Sequence, residues 1–124
     1  MKLKNMDEIR ANILELCSES EYGSWEFWLT EPSDRTMKDA EYIVQTIVEL
    51  VKEKKIYPME YASVNDRSYK ETKIDVDKLR KEVILSINPE TMQDSTLSYW
   101  FLATNKGKEE DKKIRSKTPP DQDK

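Results

Sequence analysis

The chain has 124 residues, of which 37% are charged and 36% hydrophobic, and its formal net charge is −4. This length fits one domain with a tail, and no apolar run approaches the roughly 20 residues that a membrane span needs. The sequence has no histidine, one cysteine and two glycines. We therefore expect no intrachain disulfide, no histidine-based catalytic or metal site, and neither a phosphate-binding loop nor a dinucleotide fingerprint.

An enzyme is not expected either, because the Asp and Glu residues are scattered over predicted solvent faces. No metal and no cofactor are predicted. Cys17 lies on the apolar side of a predicted helix, which favours a buried, inert thiol. The N-terminus lacks a secretory pattern, so the expected location is the cytoplasm.

Charge is unevenly spread along the chain. Residues 1–104 hold 14 Lys/Arg and 20 Asp/Glu, a balance of −6, whereas residues 105–124 hold 7 and 5, a balance of +2. An acidic body argues against avid nonspecific binding to nucleic acid, because that affinity comes from cations that displace counterions from phosphates. A local basic patch stays compatible with this balance.

The first part of the chain is predicted to be helical. Apolar residues at helical spacing predict a helix over residues 6–22, which Gly23 ends as a left-handed C-cap. Ser24 then caps a short helix over residues 25–30, which Pro32 ends.

The longest predicted helix covers residues 36–55, with Thr36 as its N-cap and Asp39 at the positive end of the helix dipole. Its apolar residues fall within an arc of roughly 160° at 100° per residue. They are Met37, Ala40, Ile43, Val44, Ile47, Val48, Leu50 and Val51. We expect this arc to pack on the core.

Strands and a further helix follow. Residues 56–62 predict a strand, which Pro58 confines to an edge or to the side where no ladder N–H is needed. Residues 69–74 predict a second short strand, and residues 76–87 predict a helix with one apolar stripe. Residues 96–104 form the clearest predicted strand, which we expect to pair with residues 56–62.

Two further predictions concern packing and order. Trp28 and Trp100 are predicted to be core residues. Residues 108–124 contain a single large apolar residue, Ile114, and cannot bury enough surface to offset their ordering entropy. They are predicted to be a charged disordered tail after a domain of residues 1–107, and removal of residues 111–124 is expected to leave the melting temperature nearly unchanged.

Two stretches carry a resemblance to a known family. One is YGSWEFW at residues 22–28, before the long helix, and the other is YWFLATNKG at residues 99–107. Together with three helices, a strand, an excursion and a returning aromatic strand, they resemble small bacterial winged-helix proteins without assigned function. The resemblance implies an α+β fold, a winged helix in which a three-helix bundle carries a small antiparallel β-wing interrupted by a fourth helix.

The sequence departs from that family in two places. Lys54 and Lys55 stand where winged helices commonly place a glycine, between the third helix and the first wing strand. The helix over residues 76–87 also interrupts a wing that is usually a short hairpin.

The resemblance implies that residues 36–55 are the counterpart of a recognition helix in a DNA-binding regulator or accessory factor. The candidate nucleic-acid-binding residues are Arg35, Lys38, Tyr42 and Gln45 on this helix, and the wing cations Arg67, Lys70 and Lys73. Such side chains can reach phosphates and base edges. Three acidic residues, Asp39, Glu41 and Glu49, lie on or beside the same face and would repel phosphates, so a merely solvated face is the competing interpretation.

The alternative is a winged-helix-like protein-interaction module with no DNA binding. The acidic body, the face formed by Tyr57, Met59 and Tyr61, and an available sheet edge would then contact a protein partner. The fold alone does not decide between the two, because one fold hosts many functions. A continuous positive surface from the long helix to the wing would favour DNA, and an apolar patch would favour a protein.

Overall fold

The structure is a computed structural model that describes residues 6–61, 69–88, 90 and 99–116. These residues form helices and a small antiparallel sheet, an α+β architecture. The elements are α1 (Met6–Glu19), β1 (Tyr22–Gly23), α2 (Met37–Lys52), β2 (Ile56–Tyr61), β3 (Tyr69–Glu71), α3 (Val76–Leu85), β4 (Trp100–Ala103) and α4 (Asn105–Ser116), with 3-10 turns at Ser24–Glu26 and Pro32–Asp34. None of the helices among these residues is both long and apolar enough to cross a membrane.

The sheet has the strand order β1-β4-β2-β3, with every neighbouring pair antiparallel. Ile56 lies opposite Ala103 and Met59 opposite Trp100, so the predicted pairing of the two strands is confirmed. Pro58 therefore lies in an inner strand and not at an edge. Its carbonyl accepts the N–H of Thr72 at 3.1 Å, so its nitrogen faces the same side, beyond the last residue of β3, where no donor is needed.

The helix α2 begins where it is predicted but ends at Lys52, before the predicted end at residue 55, because Lys54 adopts a left-handed conformation. Thr36 is the N-cap, and its side-chain oxygen accepts the N–H of Asp39 at 3.1 Å. The core lies between α1, α2 and one face of the sheet, and its largest fully buried side chains include Ile9, Ile13, Ile43, Ile47, Leu50 and Phe101. Cys17 is buried as predicted, and burial raises the pKa of its thiol.

The prediction that Trp100 is a core residue was wrong. Side chains alternate across a strand, and in β4 it is Phe101 and Ala103 that face the core. Trp100 and Leu102 point to the opposite face of the sheet and are half-buried. The prediction for Trp28 was right, since only 8% of its surface is exposed.

The predicted helix over residues 25–30 is replaced by a single 3-10 turn. Gly23 has a φ of −80° and pairs with Trp100 as part of β1, so it is not a left-handed cap. The Glu26 carboxylate accepts the Gly23 N–H at 2.8 Å and tightens this turn. Beyond it, Trp28 donates its indole N–H to Ser86 Oγ at 2.8 Å. Contacts with α3 thus take the place of helical hydrogen bonds.

The prediction of a disordered tail was wrong for residues 108–116, which belong to α4. Asp111 is only 2% exposed, and Ile114 packs against the core. The composition argument counted apolar side chains, whereas α4 is also held to α1 by ionic contacts such as Arg10 Nε to Glu110 Oε2 at 2.7 Å. Removing residues 111–124 is therefore expected to lower the melting temperature. Residues 117–124 lie outside the described residues.

Candidate binding site

Arg35, the first candidate DNA contact, has a structural role. Its Nη1 donates to the carbonyl of Ser86 at 2.6 Å, and its guanidinium lies 5.2 Å from the centroid of the Trp28 ring. Burial lowers the pKa of Arg35. These contacts join the start of α2 to the end of α3. Helical periodicity predicts that α3 exists, but it does not predict where α3 packs against α2.

The other candidates on α2 lie on a face that α3 partly covers. Lys38 is exposed, with its Nζ 5.9 Å from the Tyr42 ring centroid, and Tyr42 itself packs against the core. Gln45 is exposed but lies beside α3 in a shallow depression that Arg80 also lines. Arg80 Nε in turn contacts Glu41 Oε1 at 2.6 Å. The exposed part of α2 thus carries both signs of charge.

The wing cations do not join these residues. Arg67 lies outside the described residues, as does the side chain of Lys70, whose backbone pairs with Glu60 in the sheet. Lys73 is exposed and lies beside the C-terminal half of α2. Lys38 is near the other end of that helix, roughly 20 Å away along the axis at 1.5 Å per residue. These positions do not place Lys38 and Lys73 on one continuous positive surface.

A groove of about 740 Å³ lies between the C-terminal half of α2, the start of β2 and the connection from β3 to α3. Its lining residues are Val48, Val51, Lys52, Lys54, Ile56, Tyr57, Pro58, Thr72, Lys73, Ile74, Val76 and Thr104. The side chains of Val48 and Val51 are half-buried, although both belong to the apolar arc expected in the core. Val48 lies at one edge of this arc of roughly 160°, and the sequence does not show which part of the arc the core covers.

Among the residues that the structure describes, the charged residues that line the groove are of one sign, although Glu49 lies in the neighbouring depression. Lys52, Lys54 and Lys73 line it, and no Asp or Glu is among the described lining residues. Asp75 lies between two lining residues, but its carboxylate accepts the backbone N–H groups of Asp77 and Lys78 at 3.0 and 3.3 Å as the N-cap of α3. None of the three lysines forms an ion pair with another described residue.

Lys54 reaches this position through an uncommon backbone conformation. Its φ is 61°, in the left-handed region that glycine usually occupies. The N–H of Lys54 bonds to the Val51 carbonyl at 3.0 Å and that of Lys55 to the Leu50 carbonyl at 2.9 Å, the pattern of a Schellman C-cap. Lys54 therefore has the backbone geometry that glycine usually adopts, and it adds a cation at this position.

The predicted face of Tyr57, Met59 and Tyr61 is not one open patch. Tyr57 is half-buried and lines the groove, whereas Met59 is 6% exposed. The side chain of Tyr61 lies outside the described residues. Of this face, it is Tyr57 that contributes to the groove.

The two stretches that resemble the winged-helix family form a tight turn and a helix cap. In the first, Gly23 and Glu26 close the turn after β1. In the second, Thr104 caps α4 by accepting the Gly107 N–H at 3.2 Å. A Cβ added at Gly107 would lie 2.0 Å from the Lys55 carbonyl oxygen, so this position requires the absence of a side chain. The contacts of Gly23, Glu26 and Gly107 are structural, whereas Thr104 both caps α4 and lines the groove.

Comparison with known proteins gives no assignment: no protein-family model matches the chain, and no curated protein or solved structure matches it significantly. Within the part of the chain that the structure describes, no three His, Cys, Asp or Glu side chains cluster in a way that could hold a metal ion.

Proposed function

We propose that this chain is a winged-helix-like protein-interaction module, and that the groove beside α2 binds a segment of a partner protein. The order of elements supports the fold assignment, since β4 returns after a long excursion to lie between β1 and β2. The observation that carries the functional proposal is the groove itself, an apolar concave surface that is open to solvent.

The groove differs from scattered surface hydrophobics because its apolar residues are contiguous. The half-buried Val48 and Val51 come from α2, the half-buried Tyr57 from β2, and Val76, which is 39% exposed, from the start of α3. Apolar residues that line one concave surface are typical of binding sites, and this volume lies within the roughly 300–1,000 Å³ of known ligand sites.

DNA binding stays a prediction with weaker support. It needs cations on the N-terminal half of α2, where the Arg35 guanidinium is hydrogen-bonded to Ser86 and stacked near Trp28. The acidic residues Asp39 and Glu41 lie on the same half of the helix. A protein segment requires no such cations there.

A pair of matched substitutions tests the proposal. Val76 and Met37 are the first residues of α3 and α2, and both side chains are exposed, at 39% and 56%. Glutamate is favourable at either position because it lies at the positive end of a helix dipole. Val76→Glu adds a charge to the groove wall, whereas Met37→Glu makes the same chemical change at the far end of α2.

Peptides selected from a random displayed library against the full chain provide the probes. We expect Val76→Glu to weaken their binding at least tenfold and Met37→Glu to leave it unchanged, measured by fluorescence anisotropy. Failure to select any peptide, or equal binding to both variants, would overturn the proposal. So would binding of mixed-sequence duplexes that is much tighter than the roughly 10⁻⁴ M of weak nonspecific association and falls steeply with salt.

A further inference from the structure

We infer that the segment bound in the groove is amphipathic and acidic, with aliphatic or aromatic side chains entering the groove and carboxylates pairing with Lys52, Lys54 and Lys73. This inference rests on the proposed function and gives the chemistry of the partner. It follows from charge complementarity, since the described lining residues supply three cations and no anion. The chain as a whole carries a net charge of −4, so this concentration of lysine is local.

The positions of the lysines indicate a ligand with several carboxylates. Lys52 lies in the last turn of α2, and Lys54 occupies the left-handed position just beyond it. Lys73 comes from a different part of the chain, the connection between β3 and α3. A small molecule with one carboxylate would pair with one side of the groove, whereas a peptide segment with spaced acidic residues can meet both sides.

The apolar lining of the groove favours a peptide over a nucleic acid, although phosphates also pair with lysine. Val48, Val51 and Ile74 are half-buried and Val76 is exposed, and their aliphatic surface gains free energy only when apolar groups cover it. A phosphate backbone offers none. The acidic body of the chain also repels the dense negative charge of a duplex. This repulsion is smaller for a peptide that carries two or three acidic residues.

The test compares a selected peptide with its amide copy, in which every Asp is replaced by Asn and every Glu by Gln. The two probes keep the same shape and apolar groups and differ in charge. The groove variant is Lys52→Gln/Lys54→Gln/Lys73→Gln. The control, Lys38→Gln/Lys108→Gln/Lys112→Gln, removes three exposed lysines that do not line the groove and gives the same net charge.

We expect the groove variant to lose about tenfold or more in affinity for the acidic peptide, as three partly exposed ion pairs would give, and the control to lose little. The amide copy should bind the parent about tenfold more weakly and respond to neither variant. Raising the salt concentration should weaken the acidic peptide alone.

Each contrary result has a distinct meaning. If the amide copy binds as tightly as the acidic peptide while Val76→Glu still prevents binding, the groove is a binding site but the acidic partner is wrong. If Val76→Glu has no effect, the proposed function itself fails. If a mixed-sequence duplex displaces the peptide and the groove variant weakens that duplex, the groove binds nucleic acid and the inference is overturned.

Discussion

The junction between α1 and α4 and the groove beside α2 both concentrate cations, but different groups face them. At the junction, Arg10 contacts Glu53 at 2.8 Å and Glu110 at 2.7 Å, and Lys55 Nζ contacts Glu110 at 2.6 Å. At the groove, Lys52 and Lys54 have apolar neighbours and no described carboxylate in the lining. The first set of cations is used to hold α4 in place, and the second is available to a partner.

The junction and the groove each use one of two lysines that are adjacent in the sequence. Lys54 and Lys55 are chemically identical, yet Lys54 lines the groove and Lys55 pairs with Glu110. The left-handed turn at Lys54 directs the two side chains to different surroundings. The role of a lysine is therefore set by backbone geometry and by the partners that distant segments bring to it.

The largest expected effect comes from Gly107→Ala, which breaks the junction. A Cβ at this position would lie 2.0 Å from the Lys55 carbonyl oxygen, and the same oxygen accepts the Thr104 N–H at 2.9 Å. Because a backbone atom cannot yield easily, we expect a loss of about 2–3 kcal/mol or more in the free energy of unfolding. Urea denaturation measures it, with Lys108→Ala at an exposed position of α4 as the control. An unchanged midpoint for Gly107→Ala would show that α4 does not dock against Lys55.

A smaller effect is expected from Glu110→Gln, which removes the shared carboxylate of the junction. Hydrogen bonding from Arg10, together with that from Lys55, holds the pKa of Glu110 at about 2, below its usual value of 4.5. The stabilisation is therefore complete above about pH 4.5 and is lost as the pH falls towards 2. We expect Glu110→Gln to cost roughly 1–2 kcal/mol at neutral pH, since the pair is partly exposed.

The measurement for this variant is the unfolding free energy between pH 2 and 7, beside Glu109→Gln, which changes an exposed neighbour. Glu110→Gln should flatten the acid limb of the stability curve, and Glu109→Gln should retain it. Parallel acid limbs in the parent and Glu110→Gln would mean that the junction contributes nothing to acid stability.

Local patterns in the sequence were enough for α2 and for the main strand pairing. The cap at Thr36, the helical period of the apolar residues and the alternation in residues 56–62 depend on neighbours a few positions apart. The helix α3 is likewise predicted by the apolar stripe in residues 76–87. These features are fixed by short-range geometry, which explains why they survive in the structure.

Features that depend on distant contacts could not be obtained in the same way. The turn at Ser24–Glu26 depends on contacts with β1 and α3. The helix α4 is held by Arg10, which contacts Glu110 although it lies 100 positions earlier in the chain. The groove is another such feature, because its walls come from residues more than 20 positions apart. In the sequence Lys52 and Lys54 are cations near the negative end of a helix dipole, and the apolar groove beside them forms only when the chain folds.

The smallest expected effect, from Lys54→Gly, separates the two roles of the cations most sharply. The left-handed conformation costs a residue with a side chain roughly 1–2 kcal/mol relative to glycine, and glycine also has more conformational freedom to lose on folding. The net result should be a gain in stability of up to about 1 kcal/mol. Lys54→Ala removes the same ammonium group but keeps the strain, so its stability should stay near that of the parent.

Both Lys54 variants should weaken binding of the acidic peptide by a similar factor of about two to three. Because Lys54→Gly would bind less tightly while being more stable, its loss of binding could not arise from unfolding. Equal melting temperatures for the two variants would contradict the left-handed geometry, and full peptide binding by both would remove Lys54 from the recognition surface.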